Sequence, residues 1–298
     1  MGVSMTATEP ISFVERPVSA PPVGRPARGR GTEPGMWGIG LLAGPANVIM
    51  QLSRPAIGYG VKDSRVESGR IDRHPIKRTR TTFTYIAVAI GGTPEQRALY
   101  RRAVNRAHAQ VYSRPEDPVA YNAFDPELQL WVAACMYKGI VDVHRLFVGE
   151  LDDETADAHY RDAAGLGTML QVPPEMWPKD RAAFDEYWRE QLDKVHIDDS
   201  VRKFLYPIAA ARPPIPLPRQ IQRRVDDFGL LITTGFLPQR FRDEMGLTWD
   251  ARRQRRFDLL MKAIRVANNL APKFIREFPF NVMLLDLDWR IRTGRPLV

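Results

Sequence analysis

The chain has almost no cysteine. Cys135 stands alone in 298 residues, so no disulfide can form within the chain and no Cys₄ or Cys₂His₂ metal site can be built. Cysteine poverty agrees with a reducing, cytoplasmic setting. Cys135 lies in the apolar run Trp131–Met136, where a free thiol reads as a small buried hydrophobe, with a thiolate haem ligand as the alternative. Long apolar runs are scarce too. Met36–Leu52 is shorter than a usual bilayer span and contains Pro45, so a buried or interfacial helix is expected there. The first thirty-five residues lack the apolar core of a secretory signal. Nucleotide and hydrolase signatures are missing as well. There is no P-loop, GxGxxG, HExxH, CxxC or GxSxG, and no internal repeat. The five histidines, at 74, 108, 144, 159 and 196, show no paired metal-ligand spacing.

What is present points to helices. Residues 1–35 carry prolines at 10, 17, 21, 22, 26 and 34, a composition that predicts a disordered tail. From residue 36 to 298 one all-α, multi-helix domain is expected. Thr93-Pro94-Glu95-Gln96 is a capping box with proline at the first helical position, opening a helix to about Tyr112. Asp125-Pro126-Glu127 opens the next, which stops at Gly149. Further helices are expected at 153–170, 179–195, 200–211, 219–234, 238–245, 248–269 and 280–292, with Thr248 as a cap. Thr81–Ile90 is β-branched and aromatic enough to be a buried strand or a helix. Arg212–Pro218 reads as an extended connector. The formal charge of +8 admits nucleic acid or an anionic membrane surface. The cations are interspersed with acids along helices, so nucleic acid is not expected, whereas membrane-surface association stays open.

Three positions can carry chemistry. His108 sits on the apolar face of its helix beside Val104 and Val111. It reads as a core histidine satisfied by a hydrogen bond, or as the single protein ligand of a porphyrin iron. Arg78 and Thr82 are four apart and share a face if their segment is helical. They read as the solvated start of a basic helix, or as a cation and a hydroxyl turned into a pocket. His144 suits either a helix surface or a pocket, and His159 and His196 are expected to be exposed.

Several segments together resemble one family. KRTRTTFTYIAVAIGGT is similar to an Arg-x-x-x-Thr helix followed by an apolar run. RRAVNRAHAQV is similar to a His-x-x-Val helix, and YNAFDPELQLWVAACMYKGIVDVHRLFVG to a Tyr-x-Ala-x-Asp-Pro-Glu helix. In this order they resemble the catalytic domain of MpaB-type oxygenases and latex-clearing rubber oxygenases, over about residues 37–290. The resemblance implies a globin-like helical core, haem b and the use of dioxygen. It implies His108 as the axial ligand and Arg78 and Thr82 as pocket residues, with Val104, Val111, Trp131 and Met136 as lining. The implied activity is a haem-dependent oxygenase acting on an apolar, unsaturated or isoprenoid-like substrate. A non-catalytic haem sensor or carrier is the alternative. The chain departs from the family pattern at Arg54, Asp63, Thr81 and Ala133, where relatives carry histidine or lysine, and Asp63 is the one candidate for an acidic base.

Overall fold

The computed structural model describes residues 38–64, 66 and 74–298. The expected tail, residues 1–35, lies outside them. A 3₁₀ turn, Gly38–Ala43, leads into α1 (Gly44–Leu52) and α2 (Pro55–Lys62). Pro45 does not break the first segment. It sits in the opening turn of α1, where its missing N–H costs no helical bond. Next come α3 (Pro75–Gly91), α4 (Pro94–His108) and α5 (Pro126–Phe147). α6 (Asp153–Ala163), the short α7 (Gly165–Thr168), α8 (Arg181–Leu192) and α9 (Asp199–Ala209) follow. The chain closes with α10 (Arg219–Phe236), α11 (Gln239–Met245), α12 (Ala251–Leu270), α13 (Lys273–Arg276) and α14 (Phe280–Thr293). The fold is all-α. Among the described residues the one β-type pairing is an isolated bridge between Tyr112 and Asn122.

Thr81–Ile90 resolves as helix, inside α3. Tertiary packing overrides the strand propensity of its β-branched residues: Ala87, Val88 and Ala89 are sealed between α3 and its neighbours α4, α7 and α14. The capping box at Thr93 forms in both directions, with Gln96 N donating to Thr93 Oγ1 at 3.2 Å and Thr93 N to Gln96 Oε1 at 2.9 Å. Asp125 caps α5 by accepting from the backbone of Glu127 and Leu128. Thr248 is not the cap of α12. Asp250 takes that place, accepting from Arg253 N at 2.7 Å.

α5 is the spine. Its buried residues include Trp131, Ala133, Ala134, Cys135, Tyr137 and Phe147. The Trp131 ring stacks on Trp188 of α8 at 5.1 Å, and its Nε1 donates to the carbonyls of Met50 and Gln51 on α1. A main core gathers α1, α3, α5, α8, α9 and α11 around this helix. A smaller cluster of Val143, Phe147, Leu231, Ile232, Phe257 and Met261 joins α10 and α12 to the far end of α5.

Candidate functional site

The site grows out of one helical hairpin. α3 and α4 pack together and are joined by the two residues Gly92 and Thr93. Arg97 closes the turn, donating from Nε to Val88 O at 3.2 Å and from Nη2 to Ile90 O at 3.0 Å. Further along, Tyr100 donates its hydroxyl to Thr81 O at 2.8 Å. Two helices of similar length running back from one turn bring their distant ends level. The first turn of α3, with Arg78, therefore comes level with the last residue of α4, His108, close enough for the Arg78 charge to act on the ring.

The electrostatics agree with this juxtaposition. Burial first and the nearby Arg78 charge second pull the His108 pKa down from 6.5 to about 4. The ring is neutral at pH 7. Its Nδ1 is enclosed and has no hydrogen-bond partner. The hydrogen bond that the plainer of the two sequence readings expects is not formed at Nδ1. Arg78 is itself held below the usual arginine range by burial, with the Tyr100 hydroxyl acting in the opposite sense and no side-chain hydrogen bond contributing. A half-buried guanidinium with no carboxylate partner among the described residues, beside a neutral imidazole, leaves room for an anionic or ligand partner.

Around this pair, Val104 is buried one turn back along α4, and Thr82 is half-buried one turn further along α3. α4 ends at His108 rather than Tyr112. Val111 thus stands in the loop beyond it, where its N–H bonds to His108 O at 2.9 Å and its carbonyl accepts from Ala123 N at 2.9 Å. Met136 and Trp131 are buried in the main core, and Trp131 has no exposed surface.

A family model for "ER-bound oxygenase mpaB/B'/Rubber oxygenase, catalytic domain" matches residues 34–266. The chain belongs to this family. It is also 50% identical over 258 residues to "Uncharacterized protein Rv2237" of Mycobacterium tuberculosis (strain ATCC 25618 / H37Rv). It has the same identity to "Uncharacterized protein Mb2261" of Mycobacterium bovis (strain ATCC BAA-935 / AF2122/97). Each match covers 87% of this chain and 100% of the relative. No solved structure matches the chain.

Within this mpaB/rubber oxygenase domain the departures from the family pattern have structural roles of their own. Thr81 turns its hydroxyl back to Lys77 O at 2.8 Å. Arg54 donates to Gln191 Oε1 at 2.7 Å and lies over the Trp131 ring. Ala133 is sealed in the core. Asp63, at the end of α2, is exposed and paired with Lys62 at 2.6 Å. An exposed, paired carboxylate is poorly suited to act as a base in a dry pocket.

Two clefts open elsewhere among the helices, and neither is lined by His108. One of about 690 Å³ runs between the start of α3 and the end of α14, lined by His74, Ile76, Lys77, Arg80, Arg290 and Val298. The other, about 240 Å³, is bounded by α5, α6 and α8. It contains His144, whose Nδ1 lies 3.1 Å from Gly149 O, and His159, with ring centres 6.2 Å apart. His159 is half-buried here instead of exposed, because α6 turns it toward α5 despite its acidic sequence neighbours. His196 is exposed as expected. Among the described residues no group of three or more His, Cys, Asp or Glu side chains comes together to hold a bare metal ion. A porphyrin iron needs only one protein ligand. His108, neutral and with an unpartnered ring nitrogen, fits that requirement.

Proposed function

We propose that this chain is a haem-b-dependent oxygenase that uses dioxygen on an apolar, unsaturated or isoprenoid-like substrate. The observation that carries the reading is the His108 ring, half-buried, neutral and unsatisfied at its enclosed Nδ1, in a chain of an oxygenase family. When bound, haem supplies the oxygen activation that amino-acid side chains lack.

The chain's own residues do the rest. His108 holds the group through a ring nitrogen that is free of a proton at neutral pH. Arg78 presents an unpaired cation to a carboxylate of the cofactor or to developing negative charge. Thr82 adds a hydroxyl donor on the same helix. Val104 and Val111 keep water from this end of the hairpin. Thr81, committed to Lys77 O, provides no second ligand. A cytoplasmic location belongs to the same proposal.

The test is spectroscopic first. Wild type produced with a haem supply, or mixed with haemin, is expected to show a Soret band, and acidified ketone should extract the pigment. His108→Ala is expected to cut haem retention at least roughly tenfold, whereas His196→Ala leaves it unchanged. A wild type that stays colourless with added haemin overturns the cofactor reading. Loss of binding in His144→Ala but not in His108→Ala moves the ligand to α5. Turnover of an unsaturated lipid under oxygen then separates an oxygenase from a haem carrier. Arg78→Leu and Thr82→Val should each lower it by about two to three orders of magnitude with the fold retained.

A further inference from the structure

The C-terminal helices leave an unusual amount of apolar surface bare. Leu270 is 81% exposed at the end of α12, Phe274 is 65% exposed in α13, and Leu285 is 69% exposed in α14. Val282, Leu285 and Trp289 are all exposed and recur at intervals of three and four, so they form one stripe along α14, and the exposed Phe278 lies just before the helix. The opposite side of α14 is anchored by the buried Phe280 and Leu287. This helix therefore has two apolar faces, and the fold uses one of them.

The C-terminal helices carry a surplus of positive charge. Residues 251–298 contain eleven Lys and Arg against four Asp and Glu. All four acids are already engaged. Asp258 accepts from Gln254, Asp288 from Gln96, Glu277 pairs with Lys273, and Asp286 pairs with Arg80 and Arg290. Arg292 and Arg295 stay exposed, and Arg295 lies 4.3 Å over the Trp289 ring at the edge of the stripe. Exposed leucine and phenylalanine, a tryptophan at the margin and a surplus of cations form the pattern of a segment that lies in a lipid headgroup region.

We propose that α13 and α14 dock this chain onto an anionic bilayer surface, with the Val282–Trp289 stripe in the interface and the cations on the headgroups. Charge complementarity selects this occupant. A second copy packed on the same face through a twofold axis would bring like charges together. Nucleic acid would satisfy the cations but leave Leu270, Phe274 and Leu285 on phosphate and sugar. No helix among the described residues is long and apolar enough to cross a membrane, so the attachment is to the surface. The inference goes beyond the oxygenase reading and does not rest on a cofactor.

Vesicle flotation with the full chain tests it without any activity measurement. Wild type is expected to float with phosphatidylcholine vesicles containing about 30 mol% phosphatidylglycerol and to stay behind with phosphatidylcholine alone. About 0.5 M salt should weaken the binding. The double variant Val282→Glu/Leu285→Glu should reduce partitioning roughly tenfold or more. Arg292→Glu/Arg295→Glu, which keeps the apolar stripe, should do the same, and circular dichroism melts check both variants for folding. Absence of flotation, or equal flotation of wild type and both folded variants, overturns the proposal. So does a wild-type dimer that Val282→Glu/Leu285→Glu dissociates in the absence of vesicle binding, or retention on DNA with none on anionic lipid.

Discussion

His108 makes the sharpest statement at the scale of one residue, because its titration is tied to the fold. In the unfolded chain its pKa is near 6.5, and in the folded chain burial first and Arg78 second bring it to about 4. Above pH 6.5 both states carry a neutral ring, and stability does not depend on it. As pH falls below 6.5 the unfolded chain binds a proton that the folded chain refuses. Stability is lost across the window down to about pH 4, by on the order of 3 kcal/mol at most and by less once solvent screening of a partly exposed ring is allowed for. The cofactor-free wild type should therefore lose more melting temperature than His108→Leu between about pH 7.5 and about pH 4.5. Parallel pH profiles for the two proteins would mean that the ring is not held neutral by the fold. Only part of this was legible in the sequence. The helical period places His108 on an apolar face, since Val104 lies four residues before it. Its closeness to Arg78 could not be read, because it depends on α3 being a helix, and TTFTYIAVAI permits a strand equally well. The placement of His159 is hidden for a related reason: Asp157 and Asp162 make its neighbourhood polar in sequence, yet the packing of α6 against α5 turns its ring toward His144.

Helix starts were the most legible elements, because a cap is a local event that sequence specifies within four residues. Thr93 and Asp125 open their helices as their sequences indicate. At α12 two residues of capping type compete, Thr248 and Asp250, and geometry decides for the carboxylate. Asp250 Oδ1 receives the Arg253 N–H at 2.7 Å, and its pKa is lowered mainly by that bond. Asp250→Ala should cost about 1 kcal/mol in urea unfolding, whereas Thr248→Ala should stay within about 0.5 kcal/mol. A larger loss for Thr248→Ala would return the cap to the residue expected from sequence. The helix end at His108 was harder to foresee. Apolar spacing continues through Val111, but the chain leaves the helix there, and the pairing of Tyr112 with Asn122 begins the loop to α5. That contact joins residues ten apart, and no helical periodicity encodes it.

Across the whole molecule burial is uneven, and the unevenness sets which part opens first. α5 buries twelve of its 22 residues, whereas α12 buries two of 20, Phe257 and Met261. The sequence marks both as long helices, but which faces are covered depends on contacts between distant segments, and these are set by topology. α12 is held chiefly through the satellite cluster, where Phe257 meets Phe236 at 5.4 Å and Trp249 at 6.0 Å, edge to face. The packing there is tight enough that a Cβ added at Gly235 would come within 2.2 Å of the Phe257 ring. The main core around Trp131, Trp188 and Phe241 shares few side chains with this cluster, so the two regions should exchange amide hydrogens at different rates. α12 is expected to open sub-globally while α5 and α8 exchange only with global unfolding. Phe257→Ala should deepen the contrast. Removing a buried phenylalanine costs about 3–5 kcal/mol where the site cannot collapse, and here the loss falls on the satellite cluster. Hydrogen exchange read by mass spectrometry should then show faster exchange in α12 and in the second half of α10, with little change in peptides from α5 and α8. Uniform acceleration across all helices would show instead that the two clusters fold as one cooperative unit, and that α12 derives its stability from the main core.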